Sequence, residues 1–64
     1  MEFKIGEKIA KYRKLKGYTQ EQLGELVGVS GQAVSKWERG LAYPDISLWN
    51  KLSILLNTDI ESLI

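Results

Sequence analysis

Hydrophobic residues recur along this chain at spacings of three and four, which is the period of an amphipathic α-helix. Two such segments lie close together between residues 19 and 40. The first carries Leu23, Leu26 and Val27, and the second carries Ala33, Val34 and Trp37. Polar positions flank both hydrophobic stripes. The pattern therefore predicts two short helices, over residues 20–27 and 31–39, each with one buried face.

The residues that bound these two segments are typical of helix ends. Thr19 followed by Gln22 has the spacing of a capping box, and Ser30 is a second N-cap residue. Gly28 and Gly40 stand where the two helices should end, because glycine adopts the left-handed conformation without a steric penalty. Two short helices joined by a turn of about four residues that contains glycine define a helix-turn-helix.

Polar side chains of the second helix fall off its hydrophobic stripe and face water or a ligand. In a helix-turn-helix the second helix lies in the DNA major groove, and its N-terminal residues contact the base edges. Gln32 can bond to adenine N6 and N7, and Lys36 can donate to guanine O6 and N7. Ser35 and Gly31 complete the candidate base contacts. The alternative is an ordinary solvated helix surface.

The segments on either side also have the pattern of helices. A stripe over residues 5–16 consists of Ile5, Ile9, Tyr12 and either Leu15 or Lys16. Asp45, directly after Pro44, is an N-cap signal for a fourth helix over residues 46–56. Residues 60–64 complete the chain as a final helical turn. The sequence thus predicts one all-α domain over residues 1–64.

Basic residues are concentrated in the first part of the chain, although the net charge is only +1. Residues 1–18 contain six Lys and Arg against two Glu, whereas residues 19–64 contain three against six Asp and Glu. A basic patch of this kind attracts phosphate, and a solvated helix face would have the same composition.

Several classes of function are disfavoured by what the sequence lacks. It contains no Cys and no His, which argues against a zinc site, a disulfide framework and catalysis by thiolate or imidazole. The longest hydrophobic run, at residues 54–56, is far shorter than a membrane-spanning helix requires. No paired-carboxylate pattern or glycine-rich phosphate loop is present. We therefore expect a cytoplasmic, non-enzymatic protein that needs no metal or cofactor.

With these motifs in place, the chain resembles the Cro/C1-type (XRE-like) helix-turn-helix domains of phage repressors and bacterial regulators. The resemblance rests on IGEKIAKYRKLKGYTQEQLGELVGVS, AVSKWERG, YPDI and LNTDIESL. It implies a compact five-helix domain of the lambda-repressor type that binds operator DNA as a dimer. It also implies core positions on the fourth helix, which are Ile46, Trp49, Ser53 and Leu56. Trp37 and Trp49 both lie on predicted hydrophobic stripes, so we expect them to pack in the core rather than to stack on bases.

The second helix of the helix-turn-helix is called the recognition helix. The resemblance also assigns roles to residues outside it. It pairs Arg13 with Glu38 in an ion pair between the first and third helices, where the alternative is two independent surface charges. It places Gln20 on a DNA phosphate, at the N-terminus of the second helix. The other candidate phosphate contacts are Thr19, Ser30, Arg39 and Tyr43.

Two departures from the family pattern affect these expectations. Relatives often carry a base-contacting side chain at the position of Gly31, so either this glycine allows a close backbone approach or it only fills the position beside the cap. Leu41 and Ala42 stand in a loop where many relatives have basic residues, which leaves the Tyr43 hydroxyl and backbone N–H groups as possible phosphate contacts.

Hydrophobic residues also accumulate towards the C-terminus, at positions that are often polar in relatives. They are Leu48, Ile54, Leu55 and Ile64. Scattered surface hydrophobic residues are normal. A cluster on the C-terminal helices, where relatives dimerise, instead suggests a homodimer interface.

Together these observations favour sequence-specific binding of double-stranded DNA by a transcriptional regulator of the repressor type, or by its N-terminal DNA-binding domain. A two-fold dimer would recognise a near-palindromic operator. The alternative is a helical module that binds a protein, as an antitoxin binds a toxin or a regulator binds an antagonist.

Overall fold

Four helices make up the described part of the chain, residues 5–58 of a computed structural model, and no strand occurs there. They are α1 (Ile5–Lys16), α2 (Gln20–Val27), α3 (Gly31–Glu38) and α4 (Ile46–Leu55). The last two each end one residue before the predicted bound, because Arg39 and Leu56 serve as their C-caps. The predicted fifth helix, at residues 60–64, lies outside the described residues.

The helix ends form through the caps that the sequence indicates. The Thr19 hydroxyl accepts from the Gln22 amide while the Gln22 side chain accepts from the Thr19 amide, which completes the capping box. Gly28 ends α2 in the left-handed conformation, with φ of 87°, and its amide bonds back to the Gly24 carbonyl. The chain then turns at once into α3, whose N-cap is Ser30. This short turn places the N-termini of α2 and α3 side by side.

All four helices contribute to one core. Its buried hydrophobic residues are Ile5, Ile9, Leu23, Val27, Val34, Trp37, Leu52 and Leu56. Trp49 is partly buried against this core, and its indole N–H donates to the Pro44 carbonyl at 2.9 Å. Core packing of Trp37 is therefore confirmed, and Trp49 is anchored in the domain.

Three hydrophobic residues are more exposed than the stripes predict. Ile46 is 85% exposed, because the buried residues of α4 lie in its C-terminal half and Ile46 is its first residue. Leu15 is 71% exposed, because the buried line of α1 runs from Ile9 to Arg13 instead. Leu26 is 41% exposed at the edge of α2. The expectation of core positions at Ile46 and Leu15 was wrong.

Candidate nucleic-acid interface

A concave surface lies between the N-termini of α2 and α3, and we call it the notch. It is lined by Thr19, Gln20, Glu21, Ser30, Gly31, Gln32 and Ser35. Six of these seven residues are candidate DNA contacts from the sequence. Amide groups of the first turn point out of each helix N-terminus, where they and the helix dipole favour an anion. The notch therefore combines hydrogen-bonding side chains with two positively polarised helix ends.

The hydroxyl groups of Thr19 and Ser30 cap α2 and α3, and each still has a hydrogen to donate. Thr19 Oγ1 accepts from the Gln22 amide at 3.0 Å, and Ser30 Oγ accepts from the Ala33 amide at 3.2 Å. A hydroxyl that accepts one such bond still carries its own O–H donor. Thr19 and Ser30 can thus cap their helices and donate to an anion at the same time.

An ion pair connects α1 to the C-terminal end of α3. Arg13 Nε and Nη2 lie 2.5 and 3.0 Å from the two carboxylate oxygens of Glu38, which is a bidentate arrangement. Nη1 of Arg13 donates a third hydrogen bond, to the Tyr18 carbonyl oxygen at 2.9 Å. The side chains of Arg13 and Glu38 are only 11% and 8% exposed. The two charges are therefore a buried pair and not independent surface groups.

Gln20 belongs to the same network, which the sequence did not indicate. Its Nε2 donates to Glu38 Oε1 at 3.0 Å, so that Glu38 is bonded to both Arg13 and Gln20. The amide of Gln20 is thereby held in one orientation at the edge of the notch. Its second N–H and its oxygen are left for a ligand.

The polar residues of α3 differ in how freely they can reach a partner. Gln32 and Ser35 both line the notch, where Gln32 is exposed and Ser35 is half-buried. Lys36 is exposed and does not line the notch. Within residues 5–58, the side chains of Gln32 and Lys36 make no hydrogen bond or ion pair. Arg39 Nε lies 3.4 Å from the Ser35 carbonyl and is otherwise exposed.

Gly31 permits a close approach between the two helix N-termini. A Cβ atom at this position would stand 2.8 Å from Glu21 Cγ and 3.1 Å from Glu21 Cα. Of the two possibilities left open by the sequence, the structure supports the close approach. The neighbour is Glu21, and the sequence does not indicate this contact, because the packing of one first turn on another leaves no periodic pattern.

The loop between α3 and α4 lies outside the notch. Tyr43 is 65% exposed and Leu41 is 66% exposed. Asp45 caps α4 through bonds from the Ser47 hydroxyl and amide, and these bonds hold the pKa of the Asp45 carboxyl below its ordinary value of 3.8. A carboxylate thus already occupies the N-terminus of α4. Among residues 40–45, Tyr43 is the residue whose side chain carries a hydrogen-bond donor.

The residues predicted for a dimer interface are not equally available. Ile54 is 70% exposed, whereas Leu48 and Leu55 are partly buried against the core of their own domain. Leu48 and Leu55 lie on either side of the buried Leu52 on α4, so part of their surface packs within the domain. Ile64 lies outside the described residues.

Residues 5–58 contain no group of three or more acidic, Cys or His side chains that could hold a metal ion. None of the four helices is long and apolar enough to cross a membrane.

A protein-family model described as helix-turn-helix matches residues 9–63 of the chain. A curated relative is the SPbeta prophage-derived uncharacterized HTH-type transcriptional regulator YonR of Bacillus subtilis (strain 168). The two are 36% identical over 60 residues, which is 94% of this chain and 56% of YonR. The chain thus spans about half the length of this relative.

Solved structures of similar fold include two bound to DNA. The P22 c2 repressor in complex with synthetic operator 9T matches with a TM-score of 0.88 and 37% identity, over 94% of this chain and 91% of that one. SinR, the master regulator for biofilm formation, in complex with DNA matches with a TM-score of 0.81 and 38% identity, over 92% and 95% of the two chains.

Proposed function

This chain belongs to the Cro/C1-type helix-turn-helix family, and from that membership we propose that it binds double-stranded DNA sequence-specifically, as the DNA-binding domain of a transcriptional regulator. The observation that carries the proposal is the notch, where the N-termini of α2 and α3 meet. The notch brings together polar side chains and helix N-termini, which are groups that can donate hydrogen bonds to phosphate and to base edges. A repressor acting on bacterial or phage operators would work in the cytoplasm, on the nucleoid.

In the proposed complex, α3 lies in the major groove with its N-terminal end towards the bases. Gln32 and Lys36 contact base edges, and both side chains are exposed. Ser35 contacts a base directly or through a bridging water. Gly31 has no side chain, so its contribution is its backbone and the space that it leaves for Glu21.

Phosphate is bound by residues at the N-terminus of α2 and by other polar groups in and around the notch. Gln20 is the principal candidate, because Glu38 orients its amide and leaves one N–H to donate. The hydroxyls of Thr19 and Ser30 retain a donor each. Arg39 and Tyr43 are exposed outside the notch and would contact the flanking backbone.

We further propose that two copies bind together on a near-palindromic operator. A two-fold dimer puts two recognition helices in successive major grooves, about 34–36 Å apart. Of the residues that the sequence indicates for the interface, the exposed Ile54 is the best supported in residues 5–58.

The first experiment is a selection from a random duplex DNA library at physiological salt, read by sequencing. We expect an enriched motif with dyad symmetry and half-sites about one helical turn apart. Binding should also weaken steeply with salt, since phosphate contacts release counterions. Absence of any enriched motif, with binding insensitive to salt, would contradict the proposal and favour a protein partner instead.

Two variants separate the proposed roles in the same selection. Gln32→Ala should relax one base position, at a cost of about 1–3 kcal/mol in discrimination. Gln20→Ala should weaken binding to all sequences alike and leave the motif unchanged. Identical losses in the two variants would refute this division between base and phosphate contacts.

A further inference from the structure

One acidic residue of the notch is left without a role by the family pattern. Glu21 lies in the first turn of α2, is exposed, and lines the notch together with Gln32 and Ser35. Within residues 5–58 its side chain makes no hydrogen bond or ion pair. The carboxylate is therefore free to meet whatever enters the notch.

The position of this side chain depends on Gly31. The place that a Cβ of residue 31 would take is only 2.8 Å from Glu21 Cγ. Glu21 Cγ and the Glu21 backbone thus lie against the first turn of α3, at the position where relatives often carry a base-contacting residue. Gly31 of α3 and Glu21 of α2 are therefore in close contact at this position.

The chemistry of a carboxylate restricts what it can contact on DNA. An ionised carboxylate only accepts hydrogen bonds. Phosphates offer no donor and repel it. In the major groove the donors are the amino groups of cytosine N4 and adenine N6, whereas guanine N7 and O6 and thymine O4 are acceptors. Among protein–base pairings, Glu is suited to cytosine N4.

We propose that Glu21 is a specificity-determining residue, which accepts a hydrogen bond from a cytosine amino group at the operator position facing the first turn of α3. The inference rests on the proposed DNA-binding function. Glu21 supplies from α2 the base contact that Gly31 cannot make, and Gly31 leaves the room for it. The same carboxylate disfavours guanine and thymine at that position.

The test is the random-library selection repeated with variants of Glu21 and a matched control. Glu21→Ala removes the acceptor, so a cytosine preference at one position should flatten by about fivefold or more. Glu21→Gln should move that preference towards adenine, because an amide can bond adenine N6 and N7 together. The control is Glu25→Ala, which removes the same charge from an exposed site on α2 that does not line the notch.

The outcomes distinguish this inference from the function on which it rests. A motif in the wild-type protein that changes at one position in the Glu21 variants, but not in Glu25→Ala, is the expected result. An unchanged motif in all variants, with affinity raised equally by Glu21→Ala and Glu25→Ala, would show that Glu21 acts only through its charge and would overturn the inference. If the wild-type protein enriches no motif, the proposed function itself fails.

Discussion

At the scale of single residues, Arg13 stands out because it is charged and lies on the buried line of α1. Its guanidinium bonds to both oxygens of Glu38 and to the Tyr18 carbonyl, so its charge and three of its donors are satisfied. Removing one partner of a buried ion pair is costly, because the other charge is left without compensation. The pair also orients Gln20, and so connects the stability of the domain to its proposed phosphate contact.

Replacing Arg13 with Met should therefore destabilise the domain by about 3 kcal/mol or more. A protein of this length has a free energy of unfolding of roughly 3–10 kcal/mol, so the melting temperature should fall by more than about 10 °C. Thermal unfolding followed by circular dichroism measures the effect. Arg39→Met is the control, since Arg39 is exposed and makes no ion pair within residues 5–58. Equal melting temperatures for the two variants would rule out a stabilising pair.

Contacts between residues that lie far apart in the sequence were the hardest to predict from it. The Arg13–Glu38 pair could be expected from a family resemblance, but the bond from Gln20 to Glu38 could not, because it depends on how α2 is placed against α3. The same holds for Glu21 beside Gly31. Exposed groups such as Gln32 were easier to identify, because helical periodicity alone puts them opposite the hydrophobic stripe.

At the scale of elements, local signals predicted helix ends better than they predicted buried faces. The caps at Thr19 and Ser30, and the left-handed Gly28, depend on bonds within one turn of the chain. Ile46 begins a helix as expected, yet it is exposed. Which residues of a helix are buried depends on where the neighbouring helices end, and the sequence of that helix alone does not show where they end.

The docking of α1 on α3 depends on another glycine, Gly6. An added Cβ at this position would lie 2.1 Å from the Trp37 carbonyl oxygen and 3.0 Å from that of Glu38. Both are backbone atoms, so the clash cannot be relieved by rotating a side chain. The small residue allows α1 to approach the end of α3 closely enough for Arg13 to reach Glu38.

Gly6→Ala should consequently destabilise the domain, although alanine favours helix formation. Overpacking costs about 1–3 kcal/mol or more, and the gain in helix propensity is at most about 1 kcal/mol. Urea unfolding of the variant should show a lower midpoint than the wild type. Lys14→Ala, at an exposed position of the same helix, should stay within about 0.5 kcal/mol of it. A Gly6→Ala protein as stable as the wild type would show that α1 can move away from α3 at little cost.

At the scale of the whole molecule, the dimensions of the domain bear on how two copies would sit on DNA. The Cα atoms of the domain extend over 30 × 23 × 22 Å, and the side chains reach further. Successive major grooves on one face of B-DNA are about 34–36 Å apart. Two copies in neighbouring grooves would therefore come close to contact, and a modest hydrophobic surface could join them. Ile54 is the candidate residue for that surface, and Leu15, on a different helix, is nearly as exposed, at 71% against 70% for Ile54.

These two residues provide a matched test of the proposed dimer. If the C-terminal face associates, Ile54→Glu places a charge in the interface and should abolish self-association, whereas Leu15→Glu should leave it intact. Sedimentation velocity over a concentration series measures the oligomeric state, and thermal unfolding should show both variants folded, since both positions are exposed. On DNA, the Ile54→Glu protein should lose its preference for two half-sites over one, because binding at the second site no longer benefits from a neighbouring copy. A wild-type protein that stays monomeric at high concentration, or two variants that behave alike, would show that Ile54 does not form the interface.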